Sequence, residues 1–237
     1  SGGSKSVEFG GLTPTNSSNA TIQEIRYEGF AVHNWQISDR MSLESTIIYE
    51  ESTIEQSGDT RKKRDFSFIR PKVDYRFDIT SSLQLRATIE KDVAQLSFND
   101  FTANIAPNND EDKNTFAGNP EIKQEQSWRY DLNLEYRFDD DNGVINTNIY
   151  YQDLEDLIDR IDVSTPTLIQ SANGNIGDGE RYGGSVDTSY RLASFNLPQL
   201  LITARVDLIE SEATDPFLNI RRPIQRQGKG SYRYGFR

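Results

Sequence analysis

Ser127-Trp128-Arg129-Tyr130-Asp131-Leu132-Asn133-Leu134-Glu135-Tyr136-Arg137-Phe138 alternates polar with apolar side chains over its whole length. Trp128, Tyr130, Leu132, Leu134, Tyr136 and Phe138 take alternate positions, and Arg129, Asp131, Asn133, Glu135 and Arg137 take the positions between them. Successive side chains of a strand point to opposite sides, so this is a β-strand with one apolar and one charged face. The apolar face has an order of its own: aromatics at both ends and two leucines in the middle. A strand that crosses hydrocarbon between two interfacial aromatic belts needs that order, and a strand of a soluble sandwich does not.

The alternation recurs on both sides of this stretch. Leu83, Leu85, Ala87 and Ile89 alternate with Gln84, Arg86, Thr88 and Glu90, and Ile202, Ala204, Val206 and Leu208 alternate with Thr203, Arg205 and Asp207. It is weaker in Val186, Thr188, Tyr190 and Leu192. Further strands are expected at 21 to 37, 41 to 55, 64 to 77, 143 to 161 and 229 to 237, about nine in all. Connections alternate between short (38 to 40, 78 to 82, 139 to 143, 193 to 199) and long (56 to 63, 96 to 126, 162 to 179, 213 to 228), the long ones rich in Gly, Asn, Asp, Ser and Pro.

Alternation alone also fits a soluble β-sandwich or a solenoid. Three features select the barrel: strands of about ten residues or more, the aromatic-leucine-aromatic order, and tight turns at one end with long loops at the other. The expected fold is therefore all-β, an antiparallel up-and-down transmembrane β-barrel, incomplete. Residues 21–237 form the barrel portion and residues 1–20, opening on Ser1-Gly2-Gly3-Ser4, a linker or loop remnant. On this reading Trp128, Tyr130, Leu132, Leu134, Tyr136, Phe138, Leu83, Leu85, Ile89, Ile202, Val206 and Leu208 face lipid. Arg129, Asp131, Asn133, Glu135, Arg137, Arg86, Arg205 and Asp207 face the lumen.

Composition supports this and narrows the function. Only 35% of the 237 residues are apolar, too few for an ordinary core, yet 11% are aromatic, too many for a disordered chain. Mean hydropathy is -0.70 and no run approaches the roughly 18 apolar residues of a membrane helix, which leaves spanning by strands open. The 37 acidic against 26 basic side chains, net -11, argue against a nucleic-acid partner; the one basic run, Arg61 to Arg64, reads as a solvated loop tip. There is no cysteine, hence no disulfide framework, thiolate metal site or cysteine nucleophile.

The stretch Gly118-Asn119-Pro120-Glu121-Ile122-Lys123-Gln124-Glu125-Gln126-Ser127-Trp128, followed by Glu135-Tyr136-Arg137-Phe138, resembles the GNPxLxxExSxxYxxxxEYRF segment of TonB-dependent outer-membrane receptors. Arg26-Tyr27-Glu28 leading to Trp35, Phe98-Asn99-Asp100-Phe101, and Asn148-Ile149-Tyr150-Tyr151 running into Asp156-Leu157-Ile158 agree with it, and the resemblance covers most of residues 20 to 237. It implies a barrel of about 22 strands around a plug. It also implies ligand capture by extracellular loops and inward movement when TonB pulls on the plug. The implied setting is the outer membrane of a Gram-negative bacterium, with outer-membrane lipid, the plug domain, the remaining barrel strands, TonB and a small-molecule ligand as partners. Siderophore, cobalamin and carbohydrate receptors share this pattern. No plug, TonB box or full strand set is recognisable, so the chain is expected to be a receptor segment that is not transport-competent alone. The alternative is a soluble or surface-attached β-rich adhesin, which predicts a detergent-free, monodisperse protein.

Catalytic chemistry finds little support. His33, the single histidine, shares a face with Tyr27 and Trp35 and reads as an interfacial side chain. Asp110-Glu111-Asp112 and Asp139-Asp140-Asp141-Asn142-Gly143 could collect oxygen ligands for calcium but lack EF-hand spacing; the second reads as a tight turn with Asn142-Gly143 supplying positive φ. Gly174, Gly177, Gly179, Gly183 and Gly184 lack the Lys-Ser or Lys-Thr of a phosphate loop. Glu24, Glu28 and Glu135 on polar faces suit a wet lumen better than an acid-base pair. No enzyme activity, catalytic residue, cofactor or metal is expected. The ligand-binding residues are unknown, with loops 96 to 126 and 162 to 179 as candidates.

Overall fold

The computed structural model describes residues 20–58, 61–97, 100, 115–116, 118–119, 121–164, 166, 169–216, 218–224 and 230–236. Along them run β1 (Ala20–Ser38), β2 (Met41–Gly58), β3 (Lys62–Asp78), β4 (Leu83–Val93), β5 (Thr115–Phe116), β6 (Gln126–Arg137) and β7 (Gly143–Glu155). Then come β8 (Ile158–Asp162), β9 (Gln170–Asn175), β10 (Gly179–Arg191), β11 (Leu201–Thr214), β12 (Arg221–Arg222) and β13 (Gly230–Phe236). The helical content among the described residues is 3-10: short turns at Asp139–Asp141 and Leu192–Phe195, and the single residue Asp100.

Ten strands form one antiparallel sheet in the order β1-β2-β3-β4-β6-β7-β10-β11, with β12 and β13 both pairing β11. The nine long strands are those the alternation predicts, joined up and down. Among the described residues β1 pairs β2 alone and β13 pairs β11 alone, so the sheet is open, an incomplete barrel wall. The connections at 39–40, 79–82, 138–142 and 192–200 lie at one end of the sheet, and those after β2, β4, β7 and β11 at the other; we call these the turn end and the loop end.

The structure departs from the sequence reading at four places. The stretch 143 to 161 is not one strand: the chain breaks at Asp156, with φ 53°, and β8 leaves the large sheet to pair with β9. The segment 56 to 63 is mostly strand, since β2 runs to Gly58 and β3 starts at Lys62, so that loop is as tight as the turns at the opposite end. A third of 162 to 179 is β9, which pairs antiparallel with β8 and parallel with β5. In the turn after β6, Asp140 carries the positive φ of 57°, while Asn142 is right-handed. Gly143 is required for another reason: a Cβ there would stand 2.2 Å from the Ser189 carbonyl oxygen of β10.

The buried apolar residues lie at the loop end. One cluster joins Leu154, Leu157, Ile161, Ala172, Ile176, Ala213 and Ile224; another joins Ile54, Leu96 and Ile122, with Ile22, Phe66 and Ile158 packed on it. Ile22, Ile54, Phe66, Leu154 and Ala213 come from the sheet's polar face, where alternation turns apolar near the loop end and the loop strands pack on it. The apolar face of the long strands takes no part in these clusters.

Candidate functional site

Register decides what the faces are. Leu85 stands opposite Leu134, Ala87 opposite Leu132, Ile89 opposite Tyr130, and Leu132 in turn opposite Ile149. Tyr130, Tyr151 and Tyr182 form a row across β6, β7 and β10. Further on, Val186 faces Val206, Gly184 faces Leu208, Tyr190 faces Ile202, and Val206 faces Tyr232. Trp128, Tyr130, Leu132, Leu134, Tyr136, Leu83, Leu85, Ile89, Ile202, Val206 and Leu208 thus share one continuous face, and Phe138 extends it past the end of β6. Among the described residues no second layer covers it: Leu132 is 44% and Tyr136 41% exposed. His33, opposite Ser45, lies on the same face.

Aromatics border this face at both levels. At the loop side the Tyr130 and Tyr151 rings lie 6.2 Å apart; at the turn side Phe138 meets Tyr136 at 5.1 Å and Tyr190 at 4.9 Å, both edge-on. From Trp128 to Phe138 is ten steps, about 34 Å along the strand, and a tilt of about 40° reduces this to roughly 26 Å, the height of the apolar band of a membrane barrel.

The opposite face is laced with ion pairs. Arg70 donates to Glu50 at 2.9 Å and reaches Glu28 at 3.4 Å and Asp92 at 3.3 Å, while Arg26 lies 3.6 Å from Glu50 and bonds Glu24 at 2.9 Å. Arg129 pairs with Asp131 and stands over the Tyr150 ring at 5.6 Å. Asn148 approaches Asp131 at 3.5 Å. Arg86 donates to Gln84 at 2.6 Å, Gln84 to Asp78 at 2.6 Å, and Arg137 to Glu135 at 2.6 Å. Arg205 bridges Asp187 and Asp207, each at 2.7 Å, and Ser231 donates to Asp207 at 3.1 Å. Asn133, opposite Arg86 and Asn148, completes the set, so Arg129, Asp131, Asn133, Glu135, Arg137, Arg86, Arg205 and Asp207 all share this face. Near the turn end a groove of about 690 Å³ runs along it, bordered by Glu44, Asp74, Arg76, Arg86 and Thr88.

At the loop end the polar face carries a hydrogen-bonded platform that the alternation did not reveal. Buried Asn119 donates to the Asn173 carbonyl at 2.8 Å and accepts from the Glu121 N–H at 3.0 Å, while Asn173 donates to Asp100 at 2.6 Å. Asn175 donates to the carbonyls of Lys123 and Asp156 at 3.0 and 2.7 Å and accepts from the Lys123 N–H at 2.8 Å. Glu125 accepts from the Ile158 N–H at 3.0 Å, and Arg64 donates to the Ile122 carbonyl. Arg222 ties the platform to the next loop through Asp159 and Asp215, each at 2.9 Å. Burial works against the Arg222 charge, but its bonds to Asp215 and Asp159 outweigh that, and its pKa is held above the ordinary value. Asn119 and the residues 121 to 126, within the stretch that carries the family resemblance, are therefore a brace between β6 and β9; Asn119 and Glu125 were the available signal.

Of the acidic clusters, Asp110-Glu111-Asp112 lies outside the described residues, as do residues 1–19 and most of loop 96 to 126. Among the described residues no group of three or more His, Asp or Glu side chains is placed to hold a metal ion.

An open antiparallel sheet with one uncovered apolar face, aromatic borders and a charged opposite face defines the class: the wall of a transmembrane-type β-barrel. The chain belongs to the TonB-dependent receptor-like β-barrel family, whose model matches residues 3–222. This family is one of receptors and transporters rather than an enzyme class. Among solved structures, the copper transporter OprC matches with a TM-score of 0.69 at 18% identity, covering 91% of this chain and 32% of its own. The alcaligin outer-membrane receptor FauA from Bordetella pertussis gives 0.59 at 12%, covering 92% and 34%, and the ferric citrate transporter FecA 0.59 at 12%, covering 90% and 31%. At these identities the likeness is one of fold, and the chain spans about a third of the length of these structures. No curated protein matches the chain in sequence.

Proposed function

We propose that this chain is part of the wall of a receptor in the outer membrane of a Gram-negative bacterium, taking part in TonB-driven uptake of a small-molecule ligand such as a siderophore, cobalamin or a carbohydrate. The apolar face meets outer-membrane lipid. The charged face lines the lumen, where it meets the plug, and the remaining strands close the barrel. TonB acts through the plug, and the loop end presents the ligand to the outside.

The observation that carries this reading is the register, which in the middle of the sheet aligns the apolar side chains of β4, β6, β7, β10 and β11 on one uncovered face and the pairs built on Arg129, Arg137 and Arg205 on the other. Exposure of so large an apolar face to water is unfavourable by about 25 cal/mol per Å², whereas contact with acyl chains removes that cost. A soluble adhesin would have to cover this face with a second layer.

The test uses the full-length receptor that carries this chain. Deleting residues 103–114 is expected to weaken binding and uptake of the cognate ligand while heat-modifiable mobility, the mark of a folded barrel, is retained. Unchanged uptake would remove the loop assignment, and recovery of the full-length protein from the soluble periplasmic fraction would remove the membrane reading altogether.

A further inference from the structure

We propose that the connection between β10 and β11 is a membrane foot that inserts into the headgroup-acyl boundary of the leaflet at the turn end; this rests on the reading that the apolar face meets lipid. Four connections lie at that end. Three are built from polar residues: Asp39 and Arg40, then Thr80 to Ser82 beside half-buried Ile79, then Asp139 to Asn142. The fourth, residues 192–200, instead exposes Phe195 at 68% and Leu197 at 43%.

The turn holds these side chains in a defined shape. Residues Leu192–Phe195 form a 3-10 turn that Asn196 ends in the left-handed region, at φ 59°. The Leu197 N–H donates to the Leu192 carbonyl and the Leu200 N–H to the Leu197 carbonyl, each at 3.0 Å, and Arg191 donates to the Pro198 carbonyl at 2.9 Å. Little conformational freedom is left for an interface to remove, which favours docking of a preformed apolar tip.

Its position identifies the occupant. Ser194 Oγ lies 3.2 Å from the Tyr190 hydroxyl, and the Tyr190 ring packs against Phe138, so the residue beside Phe195 is tied to the aromatic border of the apolar face. Apolar side chains thus continue along the chain from Tyr190 at this border into the turn, where Phe195 and Leu197 are exposed. Aromatic rings with a polar edge concentrate where acyl chains give way to headgroups, and a Phe and a Leu just beyond such a border fit the same layer. A protein partner would need no such continuity with the lipid-facing belt.

The lack of cysteine in this chain suits site-directed spin labelling of the full-length receptor, with any cysteine outside the chain replaced by serine, in phosphatidylethanolamine-phosphatidylglycerol vesicles. Nitroxides at Phe195→Cys and, in separate molecules, Leu197→Cys are compared with Leu132→Cys and Asp39→Cys for relaxation by oxygen and by a water-soluble nickel chelate. The expected oxygen-to-nickel ratio at 195 and 197 is several-fold above that at 39 and below that at 132. Nickel access at 195 and 197 equal to that at 39, with 132 still shielded, overturns the foot and leaves the lipid-face reading intact. Shielding of 195 and 197 from both reagents also overturns it, because protein then covers the turn. Free nickel access at 132 removes the lipid-face reading and the foot with it.

Discussion

Arg70 donates to Glu50 across β3 and β2 at 2.9 Å, and Glu50 is 2% exposed although it stands on the face assigned to a wet lumen. Arg26 approaches the other carboxylate oxygen, so two guanidinium groups share one buried carboxylate. Removing one partner leaves an uncompensated charge, whereas replacing both with apolar groups of similar volume does not. Arg70→Met is expected to destabilise the folded barrel by about 3 kcal/mol, at the low end of the range because Arg26 remains. Glu50→Met combined with Arg70→Met should recover more than half of that loss. Denaturant midpoints of the full-length receptor in vesicles, taken as a double-mutant cycle, check it; additive losses would show that the pair is not coupled.

Leu132 and Asn133 are chain neighbours on opposite faces, which makes a paired test of the lipid assignment. Leu132→Arg is expected to cost roughly 2 to 4 kcal/mol, as for a cation at the bilayer midplane, and Asn133→Arg less than about 1 kcal/mol. Folding yields into vesicles of defined composition measure both. Equal penalties at the two positions would contradict the assignment of the faces.

Gly143 and Asp140 separate two reasons for the shape of the β6–β7 turn. Gly143→Ala drives a methyl into the Ser189 carbonyl and should cost about 1 to 3 kcal/mol through overpacking. Asp140→Gly relieves a left-handed residue and should be neutral or stabilising by up to about 1 kcal/mol. The denaturant midpoints of the two variants are expected to move in opposite directions, or the second not at all.

Asn119 braces the loop-end platform from a buried position. Asn119→Ala strands the Glu121 N–H and the Asn173 carbonyl and is expected to cost about 1 to 3 kcal/mol locally. Faster amide exchange in residues 158–178 with unchanged protection in β2 and β3 is the expected pattern by hydrogen-exchange mass spectrometry. Uniform loss of protection would mean that Asn119 supports the whole sheet.

The nine long strands, their two faces and the turn-end connections could be read without coordinates because a strand writes its faces into every second residue, and β6 writes them from Trp128 to Phe138 without interruption. The family resemblance rested on a contiguous segment and was legible for the same reason. What could not be read were contacts set by register between distant stretches. Glu50 lies 20 residues from Arg70, and nothing local announces that they meet. Asn119 and Asn173 are separated by 54 residues. The break inside the stretch 143 to 161 is not legible because Leu157, Ile158 and Ile161 read as further apolar strand positions; the chain leaves the large sheet at Asp156, and Leu157 and Ile161 pack with Ala172 and Ile176.

By itself the sequence determined which side chains share a face, since that follows from the two-residue repeat of an extended chain and from nothing further away. The tertiary structure alone decided which strand lies beside which, where a buried carboxylate finds its two arginines, and why Gly143 and not Asn142 is indispensable. These depend on register and on the approach of one backbone to another, quantities that exist only after the strands have been laid side by side.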